Sequence, residues 1–246
     1  MGADQLAVRA DAAPAVRPGS GKMFDRIARR YDLLNRILSL GLDQRWRRLT
    51  VAALELAPGR RVLDLATGTG DLALAMLKGC PDIDVVGLDP SAQMLARARE
   101  KLGEPNGRRL GVGDAEALPF ADGCFDAVAI AFGLRNVPDR ERGLREMARV
   151  TRKGGVVAIL ELGEPRGRIL GRLARFHVHV VVPRVGALLS GAREYRYLEK
   201  SIAAFPPPDQ VLAMMRRSGL EDVAARPLSF GVCHLYTGRR AAGGKS

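Results

Sequence analysis

Apolar positions along this chain recur with two different periods, and the switches between them outline most of its elements. From Lys22 to Thr50 they fall at three- and four-residue steps, at Phe24, Ile27, Tyr31, Leu34, Ile37 and Leu38, with arginines between them. That is the spacing of an amphipathic helix. Gly41 interrupts it, and a second short helix resumes around Trp46 and Leu49 toward Leu54. After Pro58-Gly59, strand-like runs alternate with helical ones. Arg61–Leu65, Ile83–Leu88, Arg109–Gly113, Phe125–Ala131 and Val156–Leu162 read as strands, and Asp71–Lys78, Ser91–Leu102 and Asp139–Arg152 as the helices between them. The runs Val85–Leu88 and Ala127–Ala131 are apolar almost throughout, as expected of strands covered on both faces. Such alternation predicts an α/β fold with a parallel sheet and helices on both sides.

Between Glu164 and Phe205 the alternation fails. Arg166, Arg168, Arg172, Arg175, Arg184, Arg193, Arg196 and Lys200 stand there against Glu164, Glu194 and Glu199, interleaved with apolar residues such as Ile169, Leu173, Phe176, Val180 and Leu188. The pattern predicts an inserted pair of basic amphipathic helices, broken near Pro183. After Pro206-Pro207-Pro208 come a helix at Asp209–Ser218 and two closing strands, Val223–Leu228 and Val232–Thr237. One domain over residues 22–240 is expected, with a helical flap at 22–57 and a basic lid at 164–205. A loose leader (1–21) and tail (241–246) flank it.

Apolar residues make up 47% of the 246 positions and charged residues 27%, which suits a globular chain with a sizeable core. The net charge of +12 admits nucleic acid, an anionic membrane surface or acidic small molecules as partners. Aromatics at 5% without a stacking motif argue against an RNA-binding protein. Cys80, Cys124 and Cys233 are spaced neither as a disulfide framework nor as a metal knuckle, which points to a reducing cytoplasm and to no metal. The leader lacks a signal-peptide core, and no apolar run reaches membrane-spanning length.

The most informative stretch is Val62–Asp71, where an apolar strand ends in Asp64 and gives way to the turn Thr67-Gly68-Thr69-Gly70 ahead of a helix. Glycines let backbone close on a ligand and supply positive φ. Gly68-x-Gly70-x-x-Ala73, with Asp89 further on, fits a relaxed dinucleotide fingerprint, so an NAD enzyme is a rival reading. Three acids favour S-adenosylmethionine instead. Asp64 leads the turn, where an amine or sulfonium wants a carboxylate; Asp89 closes the next strand, where it can accept from both ribose hydroxyls; and Asp114, followed by Ala115, closes the third, near an adenine amino group. A pyrophosphate would be repelled there.

The chain from Met23 to Gly238 resembles the ubiquinone/menaquinone biosynthesis C-methyltransferase family. The resemblance is carried by Met23–Ala28 with Tyr31-Asp32-x-Leu34-Asn35, by Gly41 with Trp46, by Val62–Asp71 and Gly113–Phe120, and above all by Ala131-Phe132-Gly133-Leu134-Arg135-Asn136-Val137 and Tyr195-Arg196-Tyr197-Leu198-x-x-Ser201-Ile202. Departures are Asp43-Gln44 where the family often has a histidine, Lys153 for proline, Gly163 for serine, and Ala131 where some members offer the cofactor a serine. The resemblance implies a Rossmann-like, seven-stranded class I methyltransferase sheet with an N-terminal helical flap and an inserted helical lid. It also implies S-adenosylmethionine-dependent C-methylation of a polyprenylated quinol, with demethylmenaquinol preferred and a ubiquinol precursor as the alternative.

That chemistry needs the reduced ring, because only a phenol or phenolate pushes enough electron density onto the ring carbon, and it needs a route for the phenolic proton. Arg135 and Asn136 are the expected catalytic pair, Arg135 stabilising the phenolate or orienting a water; the alternative is that Arg135 pins its loop or pairs with an acid. Asp32 is the conventional base within the flap. Tyr31, Asn35, Tyr195 and Tyr197 are expected to line the substrate pocket; Asp64, Gly68, Thr69, Gly70, Asp89, Asp114, Ala115 and Ala131 to hold the cofactor. His177 and His179 read as lid residues rather than ligands. A basic, apolar lid also suits peripheral contact with anionic membrane, and a homodimer is compatible with the sequence.

Overall fold

A computed structural model describes residues 31–163 and 192–242. The leader, the first part of the flap, lid residues 164–191 with His177 and His179, and residues 243–246 lie outside the described residues, as do the side chains of Tyr31 and Tyr195. The described elements are α1 (Tyr31–Leu38), α2 (Leu42–Ala53), β1 (Arg61–Leu65), α3 (Asp71–Gly79), β2 (Asp84–Asp89), α4 (Ala92–Leu102), β3 (Leu110–Val112), β4 (Phe125–Ala131), α5 (Arg140–Val150), β5 (Thr151–Leu162), α6 (Ala192–Ala203), α7 (Pro208–Arg217), β6 (Leu220–Leu228) and β7 (Cys233–Arg240).

The strands form one seven-stranded sheet in the order β3-β2-β1-β4-β5-β7-β6. β1 to β5 are parallel, and β7 runs antiparallel between β5 and β6. Successive residues of a strand face opposite sides, so each central strand feeds two cores. Leu63, Leu65, Val128, Ile130, Val157 and Ile159 pack with α5 and α7 through Leu144, Met147, Val211 and Met215. Val62, Val85, Ala127, Ala129, Val156 and Ala158 pack with α2 and α3 through Trp46, Leu72 and Met76. This is the two-sided burial that the unbroken apolar runs announce.

Element boundaries follow local chemistry. Gly41, at φ 75°, separates α1 from α2. Ser91 caps α4 by accepting from the Met94 N–H at 3.1 Å, and Asp139 caps α5 by accepting from the Arg142 N–H at 2.9 Å. Both cap residues were expected as the first helical ones and stand just outside. The helix expected to reach Arg152 stops at Val150: Thr151 is already extended and starts β5, five residues ahead of the expected Val156. A Cβ on Gly155 would stand 2.6 Å from the Asp126 carbonyl oxygen, so glycine lets β5 run this close to β4. Arg109, Gly113 and Asp114 fall outside the third strand, which is confined to Leu110–Val112; Asp114 lies in a turn bridged to Ala117. β6 starts at Leu220, before the expected Val223, and its register with β7 shifts between Glu221 and Ala224.

Candidate active site

The sheet reverses its winding between β1 and β4, since β1 leads outward to β2 and β3 while β4 leads to β5. In an open α/β sheet, the crevice beyond the C-terminal strand ends at such a point is where ligands bind. Its floor is unusual backbone: Ala66 after β1 and Phe132 after β4 sit at φ 53° and 58°, a left-handed conformation that costs a side-chain-bearing residue on the order of 1–3 kcal/mol.

Asp64 is 1% exposed, and its Oδ2 accepts from the Thr67 hydroxyl at 2.6 Å and the Ala73 N–H at 3.1 Å. Its Oδ1 is buried with no hydrogen-bond partner. Asp89, also buried, accepts from the Gly68 N–H at 2.9 Å through Oδ2 and from the Ser91 N–H at 2.8 Å through Oδ1. It therefore ties the end of β2 to the glycine turn. Gly68 has φ 57°, and a Cβ there would meet nothing nearer than the Ala66 carbonyl oxygen at 4.0 Å. Asp114 is half-buried and accepts from the Glu116 N–H at 2.9 Å. Ala115 and Ala131 are partly buried against the two cores.

The flap is joined to this turn by charge. The Thr69 hydroxyl donates to Asp32 Oδ1 at 2.5 Å, while Lys101 Nζ donates to Asp32 Oδ2 and Asp71 Oδ1 at 2.6 Å each and to Thr69 Oγ1 at 3.3 Å. Both oxygens of Asp32, expected as a base, are thus engaged in holding α1 against the turn. Burial alone would raise the Asp71 carboxyl; the Lys101 hydrogen bond and the charges of Arg47, Lys101 and Arg36 outweigh it and hold the group below its ordinary value. Lys101→Met is expected to release α1, raising amide hydrogen exchange across residues 31–38 about tenfold, with Lys101→Arg restoring most of the protection.

Across the crevice, Arg135 pairs with an acid. Its Nη1 donates to Glu161 Oε1 at 2.5 Å and to the Phe132 carbonyl at 2.7 Å, and its backbone N–H donates to Glu161 Oε2 at 3.0 Å. The Arg135 side chain is 5% exposed and that of Glu161 0%, so this pair fixes the loop after β4 from inside. Asn136, half-buried in the same loop, donates through Nδ2 to the Phe132 carbonyl at 3.5 Å, and the Tyr197 hydroxyl of α6 donates to its Oδ1 at 3.1 Å. Two residues expected at the substrate site, from segments 61 positions apart, therefore meet. Asn35 Nδ2 is buried without a partner in the flap.

Three participants were given no role from the sequence, although Glu161 is among the residues that carry the family resemblance. Lys101 looked like an ordinary helix-end lysine. Glu161 was a legible oddity, a carboxylate inside an apolar strand. Arg47, on α2, is 7% exposed and lies over the Phe132 ring, its guanidinium carbon 5.2 Å from the centroid; the i,i+4 pairing of Asp43 with Arg47 was the available signal.

The sequence matches the ubiE/COQ5 methyltransferase family over residues 16–240. The chain belongs to that family. It is 49% identical to a demethylmenaquinone methyltransferase of Thermus thermophilus over 222 residues, covering 89% of this chain and 100% of the relative. It is 45% identical to the ubiquinone/menaquinone biosynthesis C-methyltransferase UbiE of Geobacter sulfurreducens, covering 89% and 87%. Among solved structures, a methyltransferase of Thermotoga maritima dependent on S-adenosylmethionine superimposes with a TM-score of 0.59 at 23% identity, covering 89% of this chain and 99% of that one. That likeness supports the class I methyltransferase fold.

Membership of the ubiE/COQ5 family decides between the two cofactors that the glycine turn left open, in favour of S-adenosylmethionine. The residues fit it: a buried Asp64 oxygen lacks a donor, and the space over Gly68 is open. Burial pushes the Asp64 carboxyl up to about 7, against the hydrogen bond from Thr67, the charge of Arg47 and the Ala73 N–H, with Asp89 adding to the rise. A cofactor's α-ammonium group needs the ionised form. Affinity for S-adenosylhomocysteine is therefore expected to fall, by up to about tenfold per pH unit, as pH drops below about 7. Calorimetry on Asp64→Asn should show that slope gone. The same raised value means that Asp64 favours the folded state most below about 3.8 and that this contribution is lost as pH rises through about 7. Among the described residues no cluster of side chains suits a metal ion, and no helix is long and apolar enough to cross a membrane.

Proposed function

We propose that this chain transfers a methyl group from S-adenosylmethionine to a ring carbon of a polyprenylated quinol in respiratory quinone biosynthesis, with demethylmenaquinol as substrate. The observation that carries the reading is that Asp64 and Asp89 stand on the neighbouring strands β1 and β2, while Asn136 meets Tyr197 just beyond β4, the strand paired with β1 on its other side. The cofactor supplies a methyl group on a sulfonium, already electrophilic, so the protein's work is alignment and exclusion of water. Asp64, Asp89 and the glycine turn fix the donor end. Asn136 and Tyr197 present an amide and a phenol to a ring hydroxyl, and the buried Arg135–Glu161 pair, neutral as a whole, holds the loop that carries Asn136. With Asp32 engaged by Thr69 and Lys101, the phenolic proton leaves to water held near Asn136.

The quinol form is required for this chemistry. Incubating the protein anaerobically with the donor and a short-chain demethylmenaquinone should give the ring-methylated product only when the quinone is first reduced. Equal turnover of the oxidised ring would refute the proposal, and turnover confined to a methoxy-benzoquinol would move the substrate to the ubiquinol branch. The net charge of +12 and the arginine-rich stretch from Arg166 to Lys200 support peripheral binding to the membrane that holds such a quinol. Flotation should recover the protein with anionic vesicles and not with neutral ones.

A further inference from the structure

Arg47 is a buried cation whose surroundings do not account for it. A guanidinium carries five N–H donors and stays charged when buried. Here its Nε–H is buried without a partner. Asp43 lies 3.9 Å from Nε, beyond hydrogen-bonding range, and Asp43 Oδ2 is itself buried without a donor. The Phe132 ring covers one face of the guanidinium and can accept no in-plane N–H. Leaving donors unmet on a buried cation is costly.

Two further observations locate the missing acceptor. Asp64 Oδ1, equally buried, lacks a donor. Arg47 lies over Phe132 of the crevice floor and is linked through Asp43 and Arg36 to Asp71, the first residue after the glycine turn. Its charge lowers the proton affinity of Asp64 and Asp71. The neighbouring cations are committed elsewhere: Lys101 to Asp32, Asp71 and Thr69, and the more exposed Arg36 to Asp71 and Asp43 at 3.7 and 3.9 Å. An orphaned buried acceptor and an orphaned buried donor near one turn match a zwitterion, which would satisfy both while adding no net charge to the cluster.

We infer that Arg47 anchors the α-carboxylate of the cofactor's amino-acid end, with Asp64 taking the α-ammonium group beside it. A planar guanidinium meets a carboxylate through two parallel N–H···O bonds, and Phe132 holds the plane of Arg47 against rotation. The flap thereby contributes to donor binding as well as to covering the crevice. This rests on the methyl-donor reading of the site and names a residue of α2 that it did not include.

Calorimetry with three ligands tests it: S-adenosylhomocysteine, its decarboxylated analogue, and methylthioadenosine, which lacks the whole amino-acid end. With the unaltered protein, removing the carboxylate from the ligand should weaken binding roughly 30-fold. In Arg47→Met that gap should close: S-adenosylhomocysteine loses roughly 30-fold while the decarboxylated analogue and methylthioadenosine stay within about twofold. Arg47→Lys should restore part of the gap, and it supplies the comparison if the methionine variant does not fold. A carboxylate worth less than about threefold in the unaltered protein, or an Arg47 variant that weakens all three ligands alike, would overturn the assignment and leave Arg47 as a structural charge. No binding of S-adenosylhomocysteine to the unaltered protein would instead defeat the methyl-donor reading itself.

Discussion

Truncating Glu161 to alanine is expected to cost the fold about 3–5 kcal/mol, because it strands the buried charge of Arg135. Glu161 is wholly buried and receives both the Arg135 guanidinium at 2.5 Å and the Arg135 backbone N–H at 3.0 Å. It also accepts from the Leu162 N–H at 2.9 Å. Loss of the carboxylate therefore leaves a cation and two backbone donors at once, in a place water does not reach. Domains of this size are stable by only about 5–15 kcal/mol, so the variant should have a much lower urea midpoint. Removing both partners together, as Arg135→Met with Glu161→Leu, should recover much of the stability, since neither charge is then left alone. A double variant no more stable than Glu161→Ala would show that the pair is not what holds the loop. The recovered protein should still be impaired in methyl transfer if the Arg135–Glu161 pair is what holds Asn136 in place.

Asp89→Ala is expected to weaken S-adenosylhomocysteine binding by roughly 150-fold, the equivalent of about 3 kcal/mol. The effect has two sources. One is the loss of the carboxylate that the proposed reading assigns to the ribose hydroxyls. The other lies within the protein: the Gly68 N–H and the Ser91 N–H each lose their acceptor, so the glycine turn no longer holds its shape before the ligand arrives. Asp89→Asn separates them. Its single carbonyl oxygen can serve one of the two N–H groups, so an intermediate loss of about tenfold is expected. Unchanged affinity in the alanine variant, measured by calorimetry on protein with an ordinary unfolding curve, would remove Asp89 from the binding site.

The strand-end acids were legible because each one terminates a local pattern. An apolar run that stops at Asp64 or Asp89 marks the point where a buried strand emerges. The parallel register then brings those ends side by side, Leu65 opposite Leu88 and Asp89 opposite Val112. Asp114 was legible only by analogy with the first two, and it proved to lie beyond its strand, in a turn. Asn136 and Tyr197 could be named from their motifs, but their contact could not, since it depends on where α6 settles relative to the loop after β4.

Periodicity is a local property: a residue's neighbours at two, three or four steps decide whether it faces a core, and this chain's sequence therefore determined its elements, its two-sided sheet and the acids at the strand tips. Charge partners are decided differently. Lys101 reaches Asp32 from 69 residues away, and Arg135 meets Glu161 across a neighbouring strand. No repeat in the sequence encodes either distance. Only the order in which strands were laid side by side, and the angle at which the flap came down on them, fixed which carboxylate each cation would find.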